Sequence, residues 1–247
     1  MKSHGGRQLQ RVSVCCLAVL SSGMLVGCAS LNSLGSLPGT RAGVAGSEER
    51  MQAEACRATG EELARLERDE QAIAQFLRAR QLNPKIEGTA HSLAVLYDRQ
   101  RLLDAAEREY RVALKESPRD ADVLNDYGYF LYSRGDFTGG ESQLRAALKE
   151  RPEHAQARLN LALALAGQGR HDESFVEFER ALGKASAHYN TAVLLLRSGE
   201  SERGMEQLRM ALLEDPGLEA ARLLLEAPVV QGISTESAAV VAGVGAL

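Results

Sequence analysis

The sequence predicts an all-α protein, a solenoid of about five stacked helix pairs closed by a C-terminal capping helix. Three observations predict it. Pro84, Pro118 and Pro152 are each 34 residues apart. Between them run pairs of apolar patterns with the 3.6-residue period of a helix, each pair divided by a short turn, and the clearest lies between Asp120 and Pro152. In that frame the alanine near the end of each second helix recurs as Ala79, Ala113, Ala147, Ala181 and Ala211. A helix pair this short cannot bury its own apolar faces, so copies must stack against one another. The composition agrees: 45% hydrophobic but only 4% aromatic, with no Trp, suits Ala- and Leu-rich helices in close contact.

In chain order, residues 1–27 read as a secretory leader. Lys2, Arg7 and Arg11 precede an apolar run from Val12 to Val26, too short to span a bilayer but suited to a signal-peptide core. The run ends in Leu25-Val26-Gly27-Cys28, which resembles a bacterial lipobox. That resemblance implies cleavage after Gly27, acylation of Cys28 and, with Ala29 and not Asp next, sorting to the outer membrane. Residues 28–46 are rich in Gly, Ser and other small residues and read as a flexible tether, with a reach of roughly 20 to 25 Å. Cys56 is then the one other cysteine past the cleavage site, which excludes an internal disulfide.

Ser47, followed by Glu48 and Glu49, reads as a helix start, and the solenoid is expected over 47–226. The repeats fall at about 53–86, 87–120, 121–154, 155–184 and 185–218. Small residues recur where paired helices must approach, as Gly60, Ala94, Gly128, Ala162 and Ala192 in the first helices and Ala72, Ala106, Gly140, Ser174 and Gly204 in the second. Beside them a bulky residue recurs as Phe76, Tyr110, Leu144, Phe178 and Leu208. Gly135 is placed to end a first helix in a left-handed conformation, and Asp136 to cap the next. Asp69, Asp104, Asp172 and Glu202 put acids near the positive ends of the other second helices. Ala181 and Ala211 are 30 residues apart, not 34, so a tight turn through Gly183-Lys184-Ala185 and a locally altered twist are expected. Residues 217–226 suit a capping helix. The tail, 227–247, has Glu236 as its one charged residue and reads as a disordered end or as a docking peptide.

Charge and motifs exclude several classes of function. Net charge is −4, and losing the three leader cations takes it to −7, a poor match for nucleic acid. No G-x-S-x-G, Walker loop, H-E-x-x-H or C-x-x-C occurs, so no catalytic set is expected, nor a cofactor or small-molecule substrate. His91, His154, His171 and His188 fall at unrelated repeat positions, so they are expected not to converge and no metal site is predicted.

The period, the small-residue positions and the segments VLNDYGYFLYSRGD (123–136) and ARLNLALALAGQGR (157–170) resemble the tetratricopeptide repeat. Resemblance to that family implies a right-handed solenoid whose first helices line a concave peptide-binding groove. On this chain the matching positions are Asn125, Tyr129 and Tyr132, then Leu159, Asn160 and Leu163, then Tyr189, Asn190 and Val193. Tyr129, Leu159 and Leu163 have a second reading, as packing between neighbouring helices. Only Arg99 and Arg197 are placed to serve a carboxylate clamp, which argues against capture of an acidic C-terminus. A lipid-anchored array of this kind is similar to the TadD and PilF/PilW pilus-assembly lipoproteins. That implies a non-enzymatic scaffold at the periplasmic face of the outer membrane, binding a secretin or pilus-subunit segment. A general periplasmic adaptor for envelope enzymes, or a regulatory subunit of an envelope hydrolase, are the alternatives.

Overall fold

The computed structural model describes residues 40–226, with side chains from Gly46 onward, and it is helical throughout them, with no strand. Eleven helices follow one another: α1 (Thr40–Arg65), α2 (Asp69–Leu82), α3 (Thr89–Arg99), α4 (Leu103–Glu116), α5 (Ala121–Ser133), α6 (Phe137–Glu150), α7 (Ala155–Gly167), α8 (His171–Leu182), α9 (Lys184–Arg197), α10 (Ser201–Glu214) and α11 (Glu219–Glu226). The described residues fall in two units, Thr40–Ala42 belonging to the first and Gly43–Glu226 to the second. The leader, Cys28, most of the tether and the tail after Glu226 lie outside the described residues.

Helices α2, α4 and α6 stop two residues before Pro84, Pro118 and Pro152, where a following proline disfavours helix. The helix expected from Ser47 instead begins at Thr40. Once a helix is nucleated each added residue costs little, so α1 extends before Ser47 although Gly43 and Gly46 are poor helix formers. Asp136 caps α6 by accepting a hydrogen bond from the Gly139 N–H at 2.9 Å. Asp120 caps α5 in the same way, accepting from the Asp122 N–H at 2.9 Å.

The turns inside each pair share one hydrogen-bond pattern. At Gly135 (φ +84°) the Gly135 N–H bonds to Tyr132 O at 2.9 Å, and the Asp136 N–H to Leu131 O at 3.0 Å. The same two bonds recur at Gly169 and Gly199, and again around Glu67 and Arg101, which hold the left-handed conformation (φ +56° and +60°) without being glycine. Between α8 and α9 the link is Gly183 alone, at φ +83°, so the tight turn expected from the missing four residues is present.

Packing follows the repeat register. All five small residues of each helix type and all five bulky residues are buried. Of the recurring alanines, Ala79, Ala113, Ala147 and Ala211 are buried, while Ala181, in the shortened repeat, is half-buried against Leu159, Ala162 and Phe178. From α2 onward each helix packs on its chain neighbour, and α5 also touches α7, while α1 sets Ala53 and Cys56 against Ala79 and Leu82. At the end of the stack α11 buries Ala221 over Tyr189, Val193 and Leu208, as a cap requires.

Ion pairs join successive repeats. Glu107 and Glu141, 34 residues apart, accept from Arg134 and Arg170 of the following turn at 2.8 and 2.6 Å. Arg80 makes a two-pronged pair with Glu109, at 2.9 and 2.6 Å, and donates to Thr89 Oγ1, tying α2, α3 and α4 together.

Candidate peptide-binding face

The first helices α3, α5 and α7 are joined by a row of polar side chains. Asn160 Nδ2 donates to Asn125 Oδ1 at 2.9 Å, and Asn125 Nδ2 donates to Asp126 Oδ1 at 3.0 Å. Asp126 Oδ2 pairs with His91 Nε2 at 2.7 Å, and Gln156 Nε2 donates to Asn160 Oδ1 at 3.2 Å. Inside a protein such a chain of satisfied groups fixes the register of the helices that carry it. Asn190 stands apart from the row, donating to the Ser186 carbonyl at 2.8 Å.

The nine residues read from the sequence as a groove therefore divide. Asn125, Leu159, Asn160, Tyr189, Asn190 and Val193 are buried. Leu159 packs with Ala162, Phe178 and Ala187, while Tyr189 and Val193 pack beneath α11. Tyr129 is exposed, at 43%, and Tyr132 and Leu163 are half-buried. The Tyr129 and Tyr132 rings lie 5.9 Å apart, and Tyr132 rests on Phe137 at 5.8 Å. Burial pushes the Tyr132 phenol up in pKa, and the Arg197 guanidinium, reaching across from α9, pulls against it. Arg197 is exposed, so its charge faces solvent beside the aromatic strip. Of the nine residues, Tyr129 and Tyr132 on α5 and Leu163, at the repeat position of Tyr129 on α7, keep accessible surface on the helices that carry the bonded amides, with the Arg197 charge acting on Tyr132.

One residue at these positions escaped the sequence reading: Val95, half-buried, shares the repeat position of Tyr129, and the 34-residue period was the signal that locates it. The histidines also depart from expectation. His171 and His188 do converge, on a cleft between α8, α9 and α10. Among the described residues no group of three or more His, Cys, Asp or Glu is placed to hold a metal ion, and no helix is long and apolar enough to cross a membrane.

Comparison with known proteins places this geometry. The tetratricopeptide-repeat family model matches residues 91–143 and 131–186. The type IV pilus assembly protein PilF of Pseudomonas aeruginosa is 30% identical over 115 residues, 46% of either chain, so the match spans just under half of that relative's length. The solved structure of Pseudomonas aeruginosa PilF has a TM-score of 0.56 at 24% identity, covering 79% of this chain and 90% of that one. PilW, described as a widely conserved type IV pilus biogenesis factor, gives 0.56 at 22% identity, covering 78% and 87%. YrrB, described as a tetratricopeptide-repeat protein with an unusual peptide-binding site, gives 0.58 at 19% identity, covering 73% and 95%. These likenesses establish the repeat fold.

Proposed function

We propose that this tetratricopeptide-repeat chain is a non-enzymatic, lipid-anchored scaffold whose first-helix face holds a polypeptide segment during assembly of a pilus or secretion complex in the cell envelope. The observation that carries the reading is the strip of Tyr129, Tyr132 and Leu163, apolar and accessible on consecutive first helices, above amides whose hydrogen bonds are already made. Rigid aromatic side chains beside a fixed backbone are efficient anchors for a guest, since little freedom is lost on binding. The likeness to PilF and PilW supports a secretin or pilus-subunit segment as that guest. Acylation at Cys28 would confine the scaffold to the outer-membrane surface, and confinement with its partner raises effective concentration without any new contact.

The reading is tested with detergent-solubilised full-length protein isolated from envelopes. Tyr129→Ala combined with Leu163→Ser should abolish co-isolation of the partner while helical content stays unchanged. Undiminished co-isolation refutes the face. Independently, labelling with a radioactive fatty acid should be lost in Cys28→Ser, and persistent labelling refutes the anchor.

A further inference from the structure

The C-terminal end of the described stack leaves apolar surface open at positions that the interior repeats close. In the 34-residue frame α11 is the first helix of a sixth repeat, with Ala221 where Thr89, Val123, Ala157 and Ala187 stand, all of them buried. Leu223 then falls where His91, Asn125, Leu159 and Tyr189 stand. The last three are buried, and the next first helix supplies the cover: Leu159 packs with Ala187 of α9, and Tyr189 with Ala221 of α11. Leu223 is 60% exposed. Leu224 and Leu225 follow it half-buried, as are Leu212 and Leu218 of the same cluster. No helix follows α11 among the described residues, so nothing there stands on Leu223 as α9 stands on Leu159.

The cover that fits is not another regular helix pair. Glu226, exposed, stands where Gly60, Ala94, Gly128, Ala162 and Ala192 are small and buried so that a second helix can approach, and Pro228 interrupts the helical pattern two residues on. The residues that follow are apolar, with Val229, Val230, Ile233 and the run Ala238-Ala239-Val240-Val241-Ala242, and Glu236 is their one charge up to residue 247. The one cation of α11, Arg222, is held by Glu219 at 2.7 Å and by the Pro216 carbonyl at 2.8 Å, so it does not recruit an acidic partner. Reach is ample: the twelve residues from Glu226 to Ala238 span up to about 40 Å extended, against about 12 Å for the eight residues of α11. Attachment at Glu226 also holds that run in the millimolar range of effective concentration, which favours it over a second copy.

We propose that residues 237–247 dock in the same chain on the apolar end of the stack, with the run from Ala238 to Ala242 against Leu223, Leu224 and Leu225. An open solenoid end is a surface for head-to-tail association, so the docked segment seals the array against further copies. The surface stands on different residues from the Tyr129 strip and does not rest on that proposal.

The test is photocrosslinking in purified full-length protein in detergent, as an equal mixture of unlabelled and nitrogen-15-labelled chains, with a photoreactive residue in place of Leu223 or, as the control, of Val112 on α4. Both positions are exposed, so neither replacement opens the core. Links from position 223 to residues 237–247 within one isotopic chain are expected, and none from position 112. The proposal is overturned if position 223 gives no such link, if position 112 gives it equally, or if the links join labelled to unlabelled chains, which assigns the cover to a second copy. Val240→Asp/Val241→Asp, outside the described helices, should cut the link within the chain at least fivefold at unchanged helical content, and links between chains from position 223 should appear in its place. An undiminished link in that variant overturns the docking, and the absence of links between chains overturns the sealing.

Discussion

Replacing Gly140 by Ala sets two opposed effects against each other where the backbones of α5 and α6 meet closely. Gly140 lies inside α6, where Ala is favoured over Gly by about 1 kcal/mol through backbone entropy alone. The new Cβ, however, falls 2.8 Å from the Gly128 carbonyl oxygen and 3.2 Å from the Tyr132 nitrogen, and both neighbours are backbone. Helices α5 and α6 have closed to a spacing that a glycine on each side permits, and reopening it disturbs Leu144 and Ala147, both fully buried. Overpacking of this kind costs about 1–3 kcal/mol, so the net expectation is a loss of about 1 kcal/mol. Gly204→Ala makes the same propensity gain, but its nearest neighbour is the Leu196 side chain and the carbonyl of Ala192 stands off at 3.2 Å. It should therefore be tolerated better. Urea unfolding followed by circular dichroism measures both; a Gly140→Ala protein more stable than the native one would show that propensity outweighs the crossing, and would refute the close approach.

Further outcomes follow from the turns, the polar row and one buried acid. Arg101→Gly and Glu67→Gly, both at left-handed backbone positions, should each stabilise by about 0.5–1 kcal/mol in the same urea assay, since a side chain there costs about 1–2 kcal/mol and glycine returns part of that as entropy. Asn160→Ala orphans Asn125 Oδ1 inside the stack and should cost about 2 kcal/mol, whereas Asn190→Ala, which frees only an in-helix carbonyl, should cost about half as much. Burial alone raises the Glu141 carboxyl, but hydrogen bonds from Gln168, Arg145 and Arg170 outweigh it and hold its pKa below the ordinary glutamate value. A depressed folded pKa means that the stabilisation is complete above the unfolded value of about 4.3 and fades as pH falls through the lower folded one. Glu141→Gln should accordingly lose about 1–2 kcal/mol at pH 7, and the gap to the native protein in urea titrations should narrow as pH is lowered below the unfolded value of about 4.3.

What the sequence made legible was the register. Ala79, Ala113, Ala147 and Ala211 reach equivalent buried places because a fixed period with fixed small residues leaves two helices one way to approach. Ala181 is half-buried because the chain turns at Gly183 directly after it. The face was only partly legible. Asn125 and Tyr129 are four residues apart, about 40° round the helix, yet Asn125 is buried with its side chain bonded to Asn160 while Tyr129 is exposed, a division that the neighbouring helix decides and the period does not. The row of His91, Asp126, Asn125 and Asn160 joins side chains 35 residues apart, one step off the repeat, and depends on lateral placement that a period does not encode. His171 and His188 were read as scattered because they hold different repeat positions; the cleft joins them through the packing of α8 on α9, which a period does not encode.

The first-helix face is tested most directly by a photoreactive residue placed in turn at Tyr129, at Leu163 and at Val112, an exposed position on the second helix α4, with irradiation of intact envelopes. The scaffold account predicts that one and the same protein is captured from Tyr129 and Leu163 and not from Val112. Capture from Val112 with none from the two first-helix positions would contradict it.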